Sequence, residues 1–210
     1  MTKRIFDIIL AAAGILLFSP VFILVAITVF VSMGSPVLFR QRRPGLNEKP
    51  FDLLKFRTMT QATAPDGKLL PDGKRLTPTG LFLRAASLDE LPQLFNVLKG
   101  DLSLVGPRPL LLHYLPRYSE RQRKRHLVRP GITGWAQING RNAASWEDRL
   151  EMDAWYAENR SWLLDCKILF KTFFKVLKRE GTMPRGGAEV QEFKGSGMTA
   201  KTQRHEEEYI

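Results

Sequence analysis

The sequence predicts an α+β fold with more helix than strand, and three observations predict it. No charged residue occurs between Asp7 and Arg40, and the densest apolar part runs from Ile8 to Val31. Two short segments of extended character flank the turn-forming pair Pro44-Gly45. From Trp146 onward the chain has helical character, and from Lys167 to Lys178 basic and apolar residues recur at helical spacing. At 210 residues and 44% hydrophobic composition, the chain suits one domain with appendages and can bury a core.

The N-terminal stretch reads as a membrane element. As one straight helix, Ile8 to Val31 would extend about 36 Å, enough to cross a hydrocarbon layer of roughly 30 Å. It is too long for a cleaved leader, and no convincing small-x-small site follows it. Ser19-Pro20 lies near its middle, where proline deletes a backbone bond and bends a helix; the Ser19 hydroxyl can adjust the bonding there. Lys3 and Arg4 precede the stretch, and Arg40, Arg42 and Arg43 follow it, which suits headgroups at both ends. Cationic flanks prefer the cytoplasmic side, so a hairpin entering and leaving on one face accommodates both clusters. Composition alone leaves a spanning and a re-entrant form equally open.

Beyond the 37–57 hairpin, where Lys55 and Arg57 would share a face, residues 60–76 read as a polar loop. Its Asp66-Gly67 and Asp72-Gly73 pairs suit turns better than metal binding. The stretch 84–109 carries the chemistry. Asp89 and Glu90 stand side by side, and Arg108 is mounted between Pro107 and Pro109. Carboxylates can attack phosphorus or hold a divalent metal, while a guanidinium fork neutralises phosphate oxygens. The blander reading is local: Ser87 followed by Glu90 is a capping-box pattern, although Pro92 argues for an irregular helix start.

Next, Leu110 to Leu112 suit a dip into an interface, followed by a cationic helix ending before Pro130. His113 and His126 lack helical metal-pair spacing. In 131–142 the glycines would let backbone approach an anion, or would simply make turns, beside Arg141. Asp153 sits among Met152, Trp155 and Tyr156, as a surface acid or one that reaches a ligand. Lys167, Lys171, Lys175 and Lys178 form a basic stripe, suiting an interfacial helix or one packed on the core. From Gly181 onward the composition predicts a flexible tail.

A net charge of +11 calls for an anionic partner: phospholipid, nucleic acid or a phosphorylated substrate. The basic run 117–129 lacks a recognised nucleic-acid motif, so nucleic acid is not expected. Cys166 alone excludes an intramolecular disulfide framework and weakly favours a reducing, cytoplasm-facing location.

Several stretches together resemble one family. The apolar N-terminus with Ser19-Pro20, KFRTM at 55–59, SLDELPQLFNVLKGDLSLVGPRP at 87–109 and RPGITGWAQINGRN at 129–142 resemble the bacterial sugar transferases, monotopic polyprenol-phosphate phosphoglycosyltransferases. The likeness covers about residues 3–180, without an added multispan N-terminal domain, and GRNAASWEDRLEMDAWY with AEVQEFKG is similar to small members that transfer diacetylbacillosamine phosphate.

The resemblance implies that a UDP-sugar and undecaprenyl phosphate give undecaprenyl-diphosphate-sugar and UMP, with Mg2+ as cofactor. It implies Asp89 as nucleophile carrying a phosphosugar, and Asp89 with Glu90 at the metal. Lys55, Arg84, Arg108 and Arg141 would face phosphate oxygens, with Asp153 an acidic position nearby. It favours a re-entrant membrane helix over 1–36 kinked at Ser19-Pro20, a catalytic domain over 37–180 with interfacial amphipathic helices, and a tail over 181–210. It places the domain on the cytoplasmic face of the bacterial inner membrane, with downstream glycosyltransferases as possible partners. A membrane-anchored binding or scaffold protein for anionic lipid or nucleic acid is the alternative; it would explain the basic stretches but not the paired acids among arginines.

Overall fold

A computed structural model describes residues 2–140, 145–178 and 192–195. Helices α1 (Thr2–Leu17) and α2 (Ser19–Met33) form a pair bent by 64° at Phe18. Neither helix alone is long and apolar enough to cross a membrane. Pro20 has no N–H for the Leu16 carbonyl one turn back, and the Ser19 hydroxyl donates to that same oxygen at 2.8 Å. The break is therefore built by two adjacent residues, one removing a donor and the other replacing it.

Both ends of the pair are tied to the folded body. Near the start, Lys3 bonds Asp165, and the Arg4 guanidinium donates to the Val97 and Leu98 carbonyls. Asp7, which is buried, accepts from the Ser103 hydroxyl at 2.8 Å and the Leu104 N–H at 3.2 Å. At the far end Arg57 donates to the Met33, Gly34 and Ser35 carbonyls, neutralising the negative end of α2. Arg57 thus parts company with Lys55, whose face it was expected to share.

Strands β1 (Leu38–Pro44) and β2 (Pro50–Phe56) pair antiparallel as the expected hairpin, in a register from Leu38↔Phe56 to Pro44↔Pro50. A short α3 (Asp72–Arg75) interrupts the loop that follows, where Asp66 accepts from the Lys68 N–H as turn chemistry predicts. Helix α4 (Pro78–Ala85) starts with Thr77 capping the Gly80 N–H. A β-carbon at Gly80 would lie 1.9 Å from the Thr58 carbonyl oxygen, so only glycine permits that approach. Then a 3-10 turn, Leu88–Glu90, leads into α5 (Gln93–Lys99). Ser87 does not cap it. Its backbone is left-handed (φ 56°), and its side chain makes no cap bond, so the capping-box reading fails here.

A second sheet was not anticipated: β3 (Ser103–Val105) and β4 (Gly131–Thr133) pair parallel. A β-carbon at Gly106 would sit 2.3 Å from the Arg129 carbonyl oxygen, so the chain entering Pro107-Arg108-Pro109 needs glycine to pass β4. Between these strands, the expected cationic helix is fragmented into 3-10 turns and α6 (Glu120–Arg123). The first three residues of 131–142 form β4, and Trp135–Asn139 form α7, so much of the expected glycine loop is regular. Two longer helices close the fold, α8 (Trp146–Asn159) and α9 (Trp162–Leu177), both capped by serine.

The protein is mostly helical with a small β component. Its main core joins Phe51 and Leu53 of the hairpin to Val97, Leu102, Val105, Tyr156 and Ile168. A second cluster joins Val25 and Val29 of α2 to Phe56 and Leu83. A third gathers Tyr114, Tyr118 and Leu150 around Phe193, with the partly buried Leu110 and Leu111 packed against it. Phe193 corrects the expectation of a wholly flexible tail: it is 1% exposed, and Arg117 donates to its carbonyl. The remaining tail residues, 181–191 and 196–210, lie outside the described residues.

Candidate active site

The site is built where three elements meet. Asn96 on α5 imitates a neighbouring strand: it accepts from the Leu54 N–H at 3.0 Å and donates to the Asp52 carbonyl at 2.8 Å. That clamp sets β2 against α5 and aims Lys55 at the 3-10 turn carrying Asp89 and Glu90. The Lys55 ammonium bonds Glu90 Oε1 at 2.7 Å and lies 3.9 Å from Asp89 Oδ2. Arg108, projecting from its proline-flanked loop, bonds the same Glu90 Oε1 at 2.6 Å. Arg84 on α4 is held by the Thr58 hydroxyl at 3.0 Å and adds positive potential at Asp89.

The two acids differ in electrostatics. Burial pushes Glu90 up, but Arg108 and Lys55, by charge and hydrogen bond, outweigh it and hold its carboxyl well below the usual carboxylate range. Burial also pushes Asp89 up, and here the net shift stays upward: Lys55, Arg84 and Arg108 oppose it, but the Glu90 charge adds to it. Asp89 is 7% exposed, and no hydrogen bond reaches its carboxylate from the described residues. Glu90 is thus a fixed anion that anchors two cations. Asp89 is a carboxylate near cations but bonded to none of them.

Of the residues singled out in the sequence, Asp89, Glu90, Lys55, Arg84 and Arg108 come together. Ser19 and Pro20 stand at the helix break, and Arg141 lies outside the described residues. Asp153 is placed differently. Its carboxylate pairs with the buried Arg125 at 2.7 Å, and Arg125 also donates to the Arg108 carbonyl at 2.6 Å and the Tyr118 hydroxyl at 3.3 Å. Asp153 therefore acts behind Arg108, holding the residue that holds its backbone. Arg125 is one of five cations between Arg121 and Arg129, and nothing in their spacing marks it as the buried one.

Among the described residues no three His, Cys, Asp or Glu side chains stand together as a metal cage. Asp89 and Glu90 supply two carboxylates, and both cation bonds to Glu90 fall on Oε1 alone. Two carboxylates fit a magnesium ion that takes its remaining ligands from water and substrate phosphate.

Residues 1–179 match the family described as bacterial sugar transferase. The chain belongs to that family. It is 58% identical over 196 residues to the uncharacterized sugar transferase EpsL of Bacillus subtilis (strain 168), covering 93% of this chain and 96% of that protein. It is 44% identical over 192 residues to the UDP-glucose:undecaprenyl-phosphate glucose-1-phosphate transferase of Escherichia coli (strain K12), covering 83% of this chain and 40% of that protein. To the UDP-N-acetylgalactosamine-undecaprenyl-phosphate N-acetylgalactosaminephosphotransferase of Aeromonas hydrophila it is 40% identical over 183 residues, covering 83% of this chain and 43% of that one. This sugar transferase spans about two fifths of the length of the last two relatives.

Proposed function

We propose that this sugar transferase moves a sugar 1-phosphate from a UDP-sugar to undecaprenyl phosphate, releasing UMP, through a phosphosugar carried on Asp89. The observation that carries the reading is the buried Asp89 carboxylate, ringed by Lys55, Arg84 and Arg108 but hydrogen-bonded to none of them. In the first step an Asp89 oxygen bonds the sugar-bearing phosphorus, and the bridging bond to UMP breaks with its electron pair. In the second, a phosphate oxygen of undecaprenyl phosphate attacks the same phosphorus, and the bond to Asp89 breaks, restoring the carboxylate. Lys55 and Arg108 keep positive charge beside the reacting phosphate, and Glu90 fixes both cations in place. Magnesium held by Asp89 and Glu90 would, when bound, neutralise the diphosphate and improve UMP as leaving group.

The bent helix pair is read as a re-entrant membrane element. Support comes from its two ends, both held by the same folded body, and from apolar side chains such as Leu16, Leu17, Leu24 and Val31 left exposed along both arms. Exposed Leu163, Phe170 and Phe173 on α9 would meet the headgroups on the cytoplasmic face. The proposed sugar is N,N'-diacetylbacillosamine, on the likeness of 140–156 and 188–195 to transferases of that sugar.

The test uses full-length protein in lipid nanodiscs with undecaprenyl phosphate and UDP-glucose, UDP-galactose, UDP-N-acetylgalactosamine or UDP-diacetylbacillosamine. UMP release with the last sugar is expected, together with a phosphosugar on Asp89 detected by mass spectrometry when the lipid acceptor is withheld. Release with another sugar alone corrects the sugar. No release with any of them overturns the activity.

A further inference from the structure

The hairpin carries a second cation on the face that holds Lys55. Residues opposed across antiparallel strands point to the same side, and the register pairs Phe39 with Lys55, Gln41 with Leu53 and Arg43 with Phe51. Arg43 therefore stands on that face, four residues along from the Lys55 position, a distance of roughly 13 Å. At that end the hairpin meets the proline-flanked loop: Pro44 lines a small cavity with Pro107, Arg108 and Pro109. Arg108, which bonds Glu90, is thereby also close enough to Arg43 for the two charges to act on each other.

Arg43 is under-used for a guanidinium in this setting. Its Nη2 donates to Gln41 Oε1 at 2.6 Å, while its Nε is buried without a partner, and no carboxylate pairs with it among the described residues. Burial, and then the Arg108 charge beside it, hold its pKa down to about 10, so it stays cationic at neutral pH. A desolvated cation next to a like charge is unfavourable until an anion bridges the two. A phosphoryl group has the oxygens to accept from two forks at once.

We propose that Arg43 is a phosphate-binding residue of this site, closing with Arg108 on one phosphoryl group. The inference rests on the sugar-phosphate transfer proposed above. The phosphoryl group is either that of the nucleotide or that of the lipid acceptor.

Full-length wild type, Arg43→Gln and Arg43→Lys in nanodiscs separate these sources. Arg43→Gln should raise the KM of one phosphate-bearing substrate at least tenfold, with a smaller change in kcat. Arg43→Lys, which keeps charge and stem but loses the fork, should recover only part of that loss and guards against a misfolded glutamine variant. A rise in KM for the UDP-sugar with weaker inhibition by UMP assigns the nucleotide phosphate. A rise confined to undecaprenyl phosphate assigns the lipid phosphate. Both KM values within twofold of wild type in both variants overturn the proposal, whatever happens to the melting temperature. If wild type turns over no sugar, the transfer reading fails, and inorganic diphosphate then decides Arg43 alone. A melting-temperature rise in wild type that is lost in Arg43→Gln supports it; an equal rise in both overturns it.

Discussion

Asp89 and Asp153 are both acids buried close to Arg108, at 7% and 5% exposure, and burial pushes both carboxyls upward. They differ in their partners. Asp153 has Arg125 at 2.7 Å, whose charge and hydrogen bond oppose the upward push of burial without cancelling it. Asp89 has no cation closer than Lys55 at 3.9 Å, because Lys55 and Arg108 are both drawn to Glu90. A carboxylate locked in an ion pair is a poor nucleophile, since bond formation must first break the pair. The neighbouring Glu90 draws the cations one atom group away from Asp89, leaving it reactive yet within their field.

Substitutions can break or sharpen that contrast. The largest effect is expected from Asp89→Asn, which should lower UMP release at least about a thousandfold while leaving the melting temperature at or above wild type, since the charge removed is buried and no hydrogen bond offsets its desolvation. Activity close to wild type would end the nucleophile assignment. Asp153→Asn should behave in the opposite way. It leaves Arg125 buried without its counter-charge and should cost about 3–5 kcal/mol in denaturant unfolding, with UMP release falling only as Arg108 loosens. An unchanged midpoint would show that the pair does not hold the loop.

Phe193→Ala removes the ring packed between Tyr114, Tyr118 and Trp146 and should cost about 3 kcal/mol. A wild-type melting curve would mean the tail does not dock in solution.

The acid side of the pH–activity profile tests Asp89 more finely. Only the ionised form attacks, and the folded pKa lies above the ordinary carboxylate value of about 3.9, so activity should fall with pH above that value. Glu90→Gln removes the neighbouring negative charge and frees Lys55 to approach Asp89, and both changes lower the Asp89 pKa. The acid limb should move to lower pH even as the maximal rate drops. A limb that stays put would separate it from Asp89.

A separate effect, on stability alone, concerns His126. Burial, with Arg125 and Arg123, holds its pKa down to about 4. The unfolded chain binds a proton first as pH falls below about 6.5, so folded stability should decline between there and about pH 4, by at most about 1.4 kcal/mol per pH unit. His126→Gln should flatten that slope in urea titrations.

Much of the site was legible because its signals are local. Adjacent Asp89-Glu90, Arg108 between two prolines and Lys55 in a short strand are each visible within a few residues, and the hairpin brings the last to the first two. Ser87 misled because a capping-box spacing says nothing about backbone handedness, and the preceding helix turns the chain left-handed there. Asp153 misled in another way. Its spacing near aromatic residues fits a ligand contact as well as it fits a buried ion pair, and its partner lies twenty-eight positions away. The β3–β4 pair leaves no mark in the sequence because three-residue strands carry too little periodicity to stand out.

By itself the sequence determined what depends on neighbours along the chain: an apolar stretch interrupted at Ser19-Pro20, a hairpin, paired acids and a stiffened arginine. Only the tertiary structure decided which cation serves which anion. Charge and residue type are properties of a position, whereas an ion pair a few ångströms long is a property of packing, and packing alone gave Glu90 two cations, Asp153 one and Asp89 none in contact.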